Sequence, residues 1–221
     1  MSGIASKLDE ELRTLRDDVL RLSSMVDTAM QTAMRAVWEF KPTVAQEVIR
    51  DDTAINDFRF KIEERCYILL AMQQPTARDM RSVITASHTV VELERIADYA
   101  VGNAKLVLQM ENASLVKSVS ELPRMNQISR EMLKSALDAY IRWDHDLAQN
   151  TLKRDDEVDA LDKAAFERLL AMMLKHKRHV SDATYLLWTA HNLERMADHI
   201  TNICERVIFM VTGEIVTEKE G

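Results

Sequence analysis

Glu94 and Asp98 stand four apart in Leu93-Glu94-Arg95-Ile96-Ala97-Asp98. The pattern returns one hundred residues on as Leu193-Glu194-Arg195-Met196-Ala197-Asp198. Side chains four apart on a helix share a face, so each copy aims two carboxylates to one side. Each acid adjoins an apolar residue, Leu93 or Ala97 in the first copy and Leu193 or Ala197 in the second, which sets it beside a buried seam. A carboxylate taken from water without a partner costs on the order of several kcal/mol, so such pairs need a cation or a basic group. A hard cation with oxygen ligands, such as magnesium, manganese, calcium or iron, meets that need.

A second acidic feature precedes each pair. Asp52 lies three before Ile55 and four before Asn56; Asp155 lies three before Val158 and four before Asp159. Both acids therefore fall at or near an inward stripe. Taken singly, an acidic pair on a helix is commonly a solvated face whose salt bridges are worth little. Arg95 and Arg195 are the internal counter-charges that could replace a metal altogether. Recurrence in equal register, with acids on the preceding helix each time, favours the ligand reading. His191 shares the stripe of Glu194, and a nitrogen ligand there would favour a transition metal. The first copy has Val91 and Gly102 where the second has His191 and Asn202, so these two read as supporting or helix-contact groups.

The elements that must position these acids are helices. Of 221 residues, 47 % are hydrophobic and 29 % charged, with only four glycines and three prolines. That composition suits a few long helices. Leu8, Leu12, Leu15, Val19, Leu22, Val26, Ala29, Ala33 and Ala36 make a coiled-coil-like seam. This first helix starts near Ser6, which has capping-box spacing to Asp9, and breaks before Pro42. A second runs from about Thr43 to Met72, with Val44, Val48, Ile55, Phe58, Ile62 and Leu69 inward, and Gln73-Gln74-Pro75-Thr76 turns the chain. The third, about 77–111, carries Val83, Ala86, Val90, Leu93, Ala97, Ala100, Ala104 and Val107 on one face.

The period breaks from about Asn112 to Glu121, so the expected domains are 1–112 and 113–221. Pro123 opens a fourth helix in its first turn, reaching about Trp143. The fifth spans about 144–175 and the sixth about 181–211, with a polar tail after Gly213. The expected fold is all-α, a tandem pair of antiparallel three-helix bundles with an internal pseudo-repeat. The offset between halves is 103 residues at Asp52 and Asp155 but 100 at Glu94 and Glu194, which implies a shorter turn in the second half.

Several function classes are disfavoured. A net charge of −7 argues against a general nucleic-acid binder. Cys66 and Cys204 stand singly, which argues against a zinc framework or disulfides and fits a reducing compartment. No signal core is visible, and no apolar run approaches the roughly 18 residues needed to span a bilayer; a cytoplasmic location is expected. There is no Glu-x-x-His, His-Glu-x-x-His, Walker loop, dinucleotide fingerprint or nucleophile elbow, so a non-enzyme is expected. Lys175-His176-Lys177-Arg178-His179 reads as a solvated turn or an anion contact. The 13 methionines and Trp38, Trp143 and Trp188 read as packing.

On the two Leu-Glu-Arg-(Ile/Met)-Ala-Asp motifs and the Arg-Asp-Asp stretches at 50–52 and 154–156, nearly the whole sequence resembles the PhoU family. The resemblance implies metal clusters of iron, zinc, manganese or magnesium, with Asp52, Glu94 and Asp98 in one and Asp155, Asp159, Glu194 and Asp198 in the other. Asn56, where an Asp is typical, and Gly102, where an Asn is usual, make the first site the poorer match.

The resemblance further implies a non-catalytic negative regulator of the phosphate-starvation response. Such a protein relays the state of a high-affinity phosphate transporter to a sensor histidine kinase. It contacts the transporter's ATPase subunit and that kinase, touches membrane complexes only peripherally, and is often a homodimer. An accessory role to a low-affinity phosphate permease, a carboxylate-bridged metal enzyme and a metal store are the alternative readings.

Overall fold

Steps of three and four along α1 (Lys7–Glu39) bury Leu15, Val19, Leu22, Val26, Met30, Ala33 and Val37. Burial of this one stripe holds the helix against α2 (Pro42–Gln73) and α3 (Ala77–Val107). The structure, a computed structural model, describes residues 7–73, 75–111, 113–175 and 177–214. Ser6, Gln74, Asn112, His176 and the tail from 215 lie outside them.

A second bundle follows: α4 (Glu121–Arg142), α5 (His145–Leu152), α6 (Asp155–Lys175) and α7 (Val180–Thr212). Among the described residues there is no strand, and no helix is long and apolar enough to cross a membrane. Six long antiparallel helices in two three-helix bundles therefore make the fold, as the periodicity predicts. Buried side chains of both bundles join one continuous core. The bundles meet chiefly where α3 lies along α7, and again where α1 meets α4. All eight expected seam positions of α3 are buried, and the alanines among them let α7 and α2 approach closely.

Three boundaries differ from the sequence reading. The fifth helix is not continuous: it breaks at Lys153 and Arg154, giving α5 and α6, whereas its counterpart α2 runs unbroken. Arg154 is drawn across to Glu131 at 2.8 Å and bonds Glu157 at 3.2 Å. The break opens α6 on Asp155, Asp156 and Glu157, where carboxylates suit the positive end of the helix dipole. The third helix ends at Val107, four residues early, and the connection 108–120 contains a short 3₁₀ turn at Val116–Ser118. The fourth starts at Glu121, so Pro123 is its third residue, still among the first-turn positions whose N–H has no helical partner.

The helix ends repeat as well. Phe40 (φ 51°) and Trp143 (φ 57°) occupy equivalent places after α1 and α4, both left-handed. Each closes its helix by a bond from the next residue, Lys41 N–H to Ala36 O at 2.9 Å and Asp144 N–H to Ala139 O at 3.0 Å.

Candidate acidic metal sites

The first cluster lies between α2 and α3. Asn56 donates to Asp52 Oδ2 at 2.9 Å, while Asp52 Oδ1 is buried with no hydrogen-bond partner among the described residues. Glu94, 17 % exposed, is in the same position: its Oε2 is buried and unbonded, and Arg95 Nε comes only to 3.8 Å. Arg95 reaches Asp98 at the same 3.8 Å and is itself 58 % exposed, so it neutralises the pair weakly. Burial, and then the charge of Asp98, raise the carboxyl pKa of both Asp52 and Glu94.

The second cluster sits between α6 and α7 at the equivalent place. Asp155 Oδ1 and Glu194 Oε2 are again buried without a hydrogen-bond partner among the described residues. Burial and the charges of Asp159, Asp198, Glu194 and Asp156 push the Asp155 carboxyl up to about 6. Asp159 and Glu194 are raised too, burial leading and Asp198 next. Arg195 pairs with Asp198 at 2.5 Å, and His191 Nδ1 stands 3.5 Å from Glu194 Oε2. His191 is thus an outer neighbour of the cluster.

Asp162 belongs to this group and is absent from the sequence reading. It continues the Asp155–Asp159 stripe by three residues, and its pKa is raised by burial, with His191 opposing and Asp159 adding. Extending the helical stripe past Asp159 would have found it. Its first-half equivalent is Arg59, which pairs with Glu63 and has a buried, unbonded Nε. The two sites therefore differ by more than Asn56. One gathers five carboxylates; the other has three, an amide and a guanidinium.

Gly102 and Asn202 do not line either cluster. Both face the other bundle. Asn202 donates to Glu92 Oε2 at 3.1 Å, and a Cβ at Gly102 would meet Asn192 Nδ2 at 3.1 Å, an amide that bonds Asn103 at 2.9 Å. Gly102 is explained by close helix approach, not by loss of a ligand.

Four repeat-related carboxylate oxygens, buried and unbonded, with carboxyls held towards their protonated forms, fit a compensating cation in charge and chemistry. Among the described residues no three His, Cys, Asp or Glu side chains are already arranged to hold an ion. Like charges repel, and a cation between them would let these side chains draw together.

The PhoU domain family matches residues 19–107 and 122–207, one copy per bundle. A phosphate-specific transport system accessory protein PhoU homolog of Clostridium acetobutylicum is 35 % identical over 94 % of this chain and 95 % of its own. The homolog of Pseudomonas aeruginosa is 33 % identical over 95 % of this chain and 87 % of its own. The crystal structure of PhoU from Pseudomonas aeruginosa superposes with a TM-score of 0.86 at 32 % identity, covering 94 % of this chain and all of that one. That of the phosphate transport system regulatory protein PhoU from Streptococcus pneumoniae gives 0.88 at 31 %, covering 96 % of this chain and all of that one. With a PhoU domain matched in each bundle and a relative 35 % identical over 94 % of this chain, the chain belongs to the PhoU family.

Proposed function

We propose that this protein is a non-catalytic accessory regulator of a phosphate-specific transport system. In this reading it holds cations at its two acidic clusters and relays the state of the transporter to a sensor histidine kinase. The observation that carries the reading is the pair of acidic clusters at equivalent places in the two PhoU domains, each with two buried carboxylate oxygens lacking hydrogen-bond partners among the described residues. Asp155, Asp159, Glu194 and Asp198, with Asp162 adjoining, would hold a divalent or trivalent ion of iron, zinc, manganese or magnesium in the second cluster. Asp52, Glu94 and Asp98 would hold one in the first. The ion neutralises the buried charge; the carboxylates bind and orient it.

The proposed partners are the transporter's ATPase subunit, the histidine kinase and a second copy of the chain. Exposed apolar side chains on α2 (Phe60, Tyr67, Ile68 and Met72) and α6 (Phe166, Leu170 and Leu174) offer surface for such protein contacts. The test is a phosphate-repressed phosphatase reporter in a strain lacking the gene, grown in excess phosphate. High expression restored to repression by the wild-type gene supports the regulator; continued repression overturns it. A carboxylate-bridged metal enzyme is the second reading, favoured by the five carboxylates of the second cluster. Turnover of a phosphoester by metal-loaded protein, lost in Glu194→Ala, would select it.

A further inference from the structure

A pocket of about 400 Å³ opens where the start of α1, the start of α3 and the end of α4 converge. Arg78 lies sixteen residues before Glu94 on α3, roughly 24 Å along the helix, so the pocket is distinct from the acidic clusters. Arg13, Arg16 and Arg78 line it. None of the three has a carboxylate within ion-pair distance among the described residues; Arg78 instead lies over the Trp143 ring at 4.6 Å. Two acids share the lining. Asp79 accepts a hydrogen bond from Thr76 Oγ1 at 2.7 Å, and Asp9 stands at the α1 end. Three guanidinium groups against two carboxylates leave the pocket cationic in a chain of net charge −7.

Tyr140 gives the pocket its second, independent feature. Its side chain is 2 % exposed and lines the same space. Among the described residues its hydroxyl has no hydrogen-bond partner. A phenol hydroxyl with no protein partner, on a ring otherwise packed in the core, is left open to a group entering the pocket. Burial raises the phenol pKa while the nearby Arg16 opposes it, so the group stays protonated and presents a donor.

We propose that this pocket binds a phosphate-type oxyanion, which accepts from the Tyr140 hydroxyl and is held by Arg13, Arg16 and Arg78. Planar guanidinium groups bind such oxygens in pairs. Leu12 and Trp143 in the wall give an apolar side that an organic group on the phosphate would contact.

The test is calorimetric titration of the full chain, chelator-treated so that no metal at the acidic clusters can bridge an anion. Inorganic phosphate and adenosine monophosphate are the two probes. Binding of phosphate as tight as that of the monophosphate assigns the site to the free ion; tighter binding of the monophosphate assigns it to a phosphoester. In either case Arg16→Gln and Arg78→Gln each weaken binding roughly tenfold, the loss of one charge-assisted contact. Tyr140→Phe, which keeps the ring and the fold, weakens it roughly fivefold. No binding of either probe at millimolar concentration overturns the proposal, as does affinity unchanged in the Arg16→Gln/Arg78→Gln double variant.

Discussion

Tyr99 and His199 hold the same place in the two halves, and they touch: their ring centroids lie 5.5 Å apart. Around them α3 and α7 run antiparallel, with Thr85 bonding the carbonyl of Arg206 and Asn192 bonding Asn103. Equivalent residues meet only at a local two-fold axis, so the two bundles are related by rotation about this contact. The two motifs, ending at Asp98 and Asp198, flank it.

His199 also accounts for Glu92. The carboxylate lies 2.6 Å from His199 Nδ1 and accepts from the Asn202 amide. Burial opposes its charge, yet these bonds hold its pKa below the ordinary value. Its stabilisation is therefore full above the unfolded pKa of about 4.3 and is lost as pH falls below it. His199→Ala is expected to cost about 1–3 kcal/mol at neutral pH, with a smaller loss in acid. Thermal denaturation across pH checks both; an unchanged melting temperature at pH 7 counts against the contact.

Asp155 behaves with the opposite sign. Its folded pKa of about 6 exceeds the unfolded value of about 3.9, so the fold keeps a proton that the unfolded chain has lost. Stability of the metal-free protein falls as pH rises between those values. Chelator-treated Asp155→Asn should therefore exceed wild type by about 1 kcal/mol at pH 7, discounted for partial exposure, and match it near pH 4. A difference constant with pH would sink this assignment.

Charge orders the two clusters. Manganese added to stripped protein is expected to bind first at α6–α7, with five carboxylates, and more weakly at α2–α3, where Arg59 replaces an acid. Glu194→Gln should weaken the tighter phase at least tenfold or so, one unpaired charge being worth roughly 1.4 kcal/mol or more. Glu94→Gln should affect only the weaker one. Titration calorimetry separates the phases, and equal effects would show the sites to be equivalent.

Ala97 and Ala197 are fully buried where helices press together. Leucine at either position overpacks the contact, at about 1–3 kcal/mol. A melting temperature unmoved in both variants would contradict the packing.

The helices and the two acidic pairs were legible in the sequence because periodicity reports which face of a helix is buried. The seam of α3 needed no correction. What periodicity does not report is which neighbour covers a helix buried on two sides. Gly102 and Asn202 follow the motif Asp by four residues, as a ligand would, yet they turn towards the opposite bundle. Only the antiparallel pairing of α3 with α7 shows this. The break at 153–154 was hidden for another reason: Lys153 and Arg154 are ordinary helix formers, and the end of α5 is set by the reach of Arg154 to Glu131. Arg59 opposite Asp162 was visible in principle, but only once the two second helices are laid over each other past Asp159.

The two-fold contact at Tyr99 and His199 lies within one polypeptide. In an assembly of two separate chains the same contact would form and dissolve with protein concentration, and both halves would carry every substitution. A covalent link holds its halves at high effective concentration at any dilution, and each half is free to change alone. Arg59 in one and Asp162 in the other are the mark of that freedom: the symmetry is kept by the backbone while the chemistry is allowed to diverge.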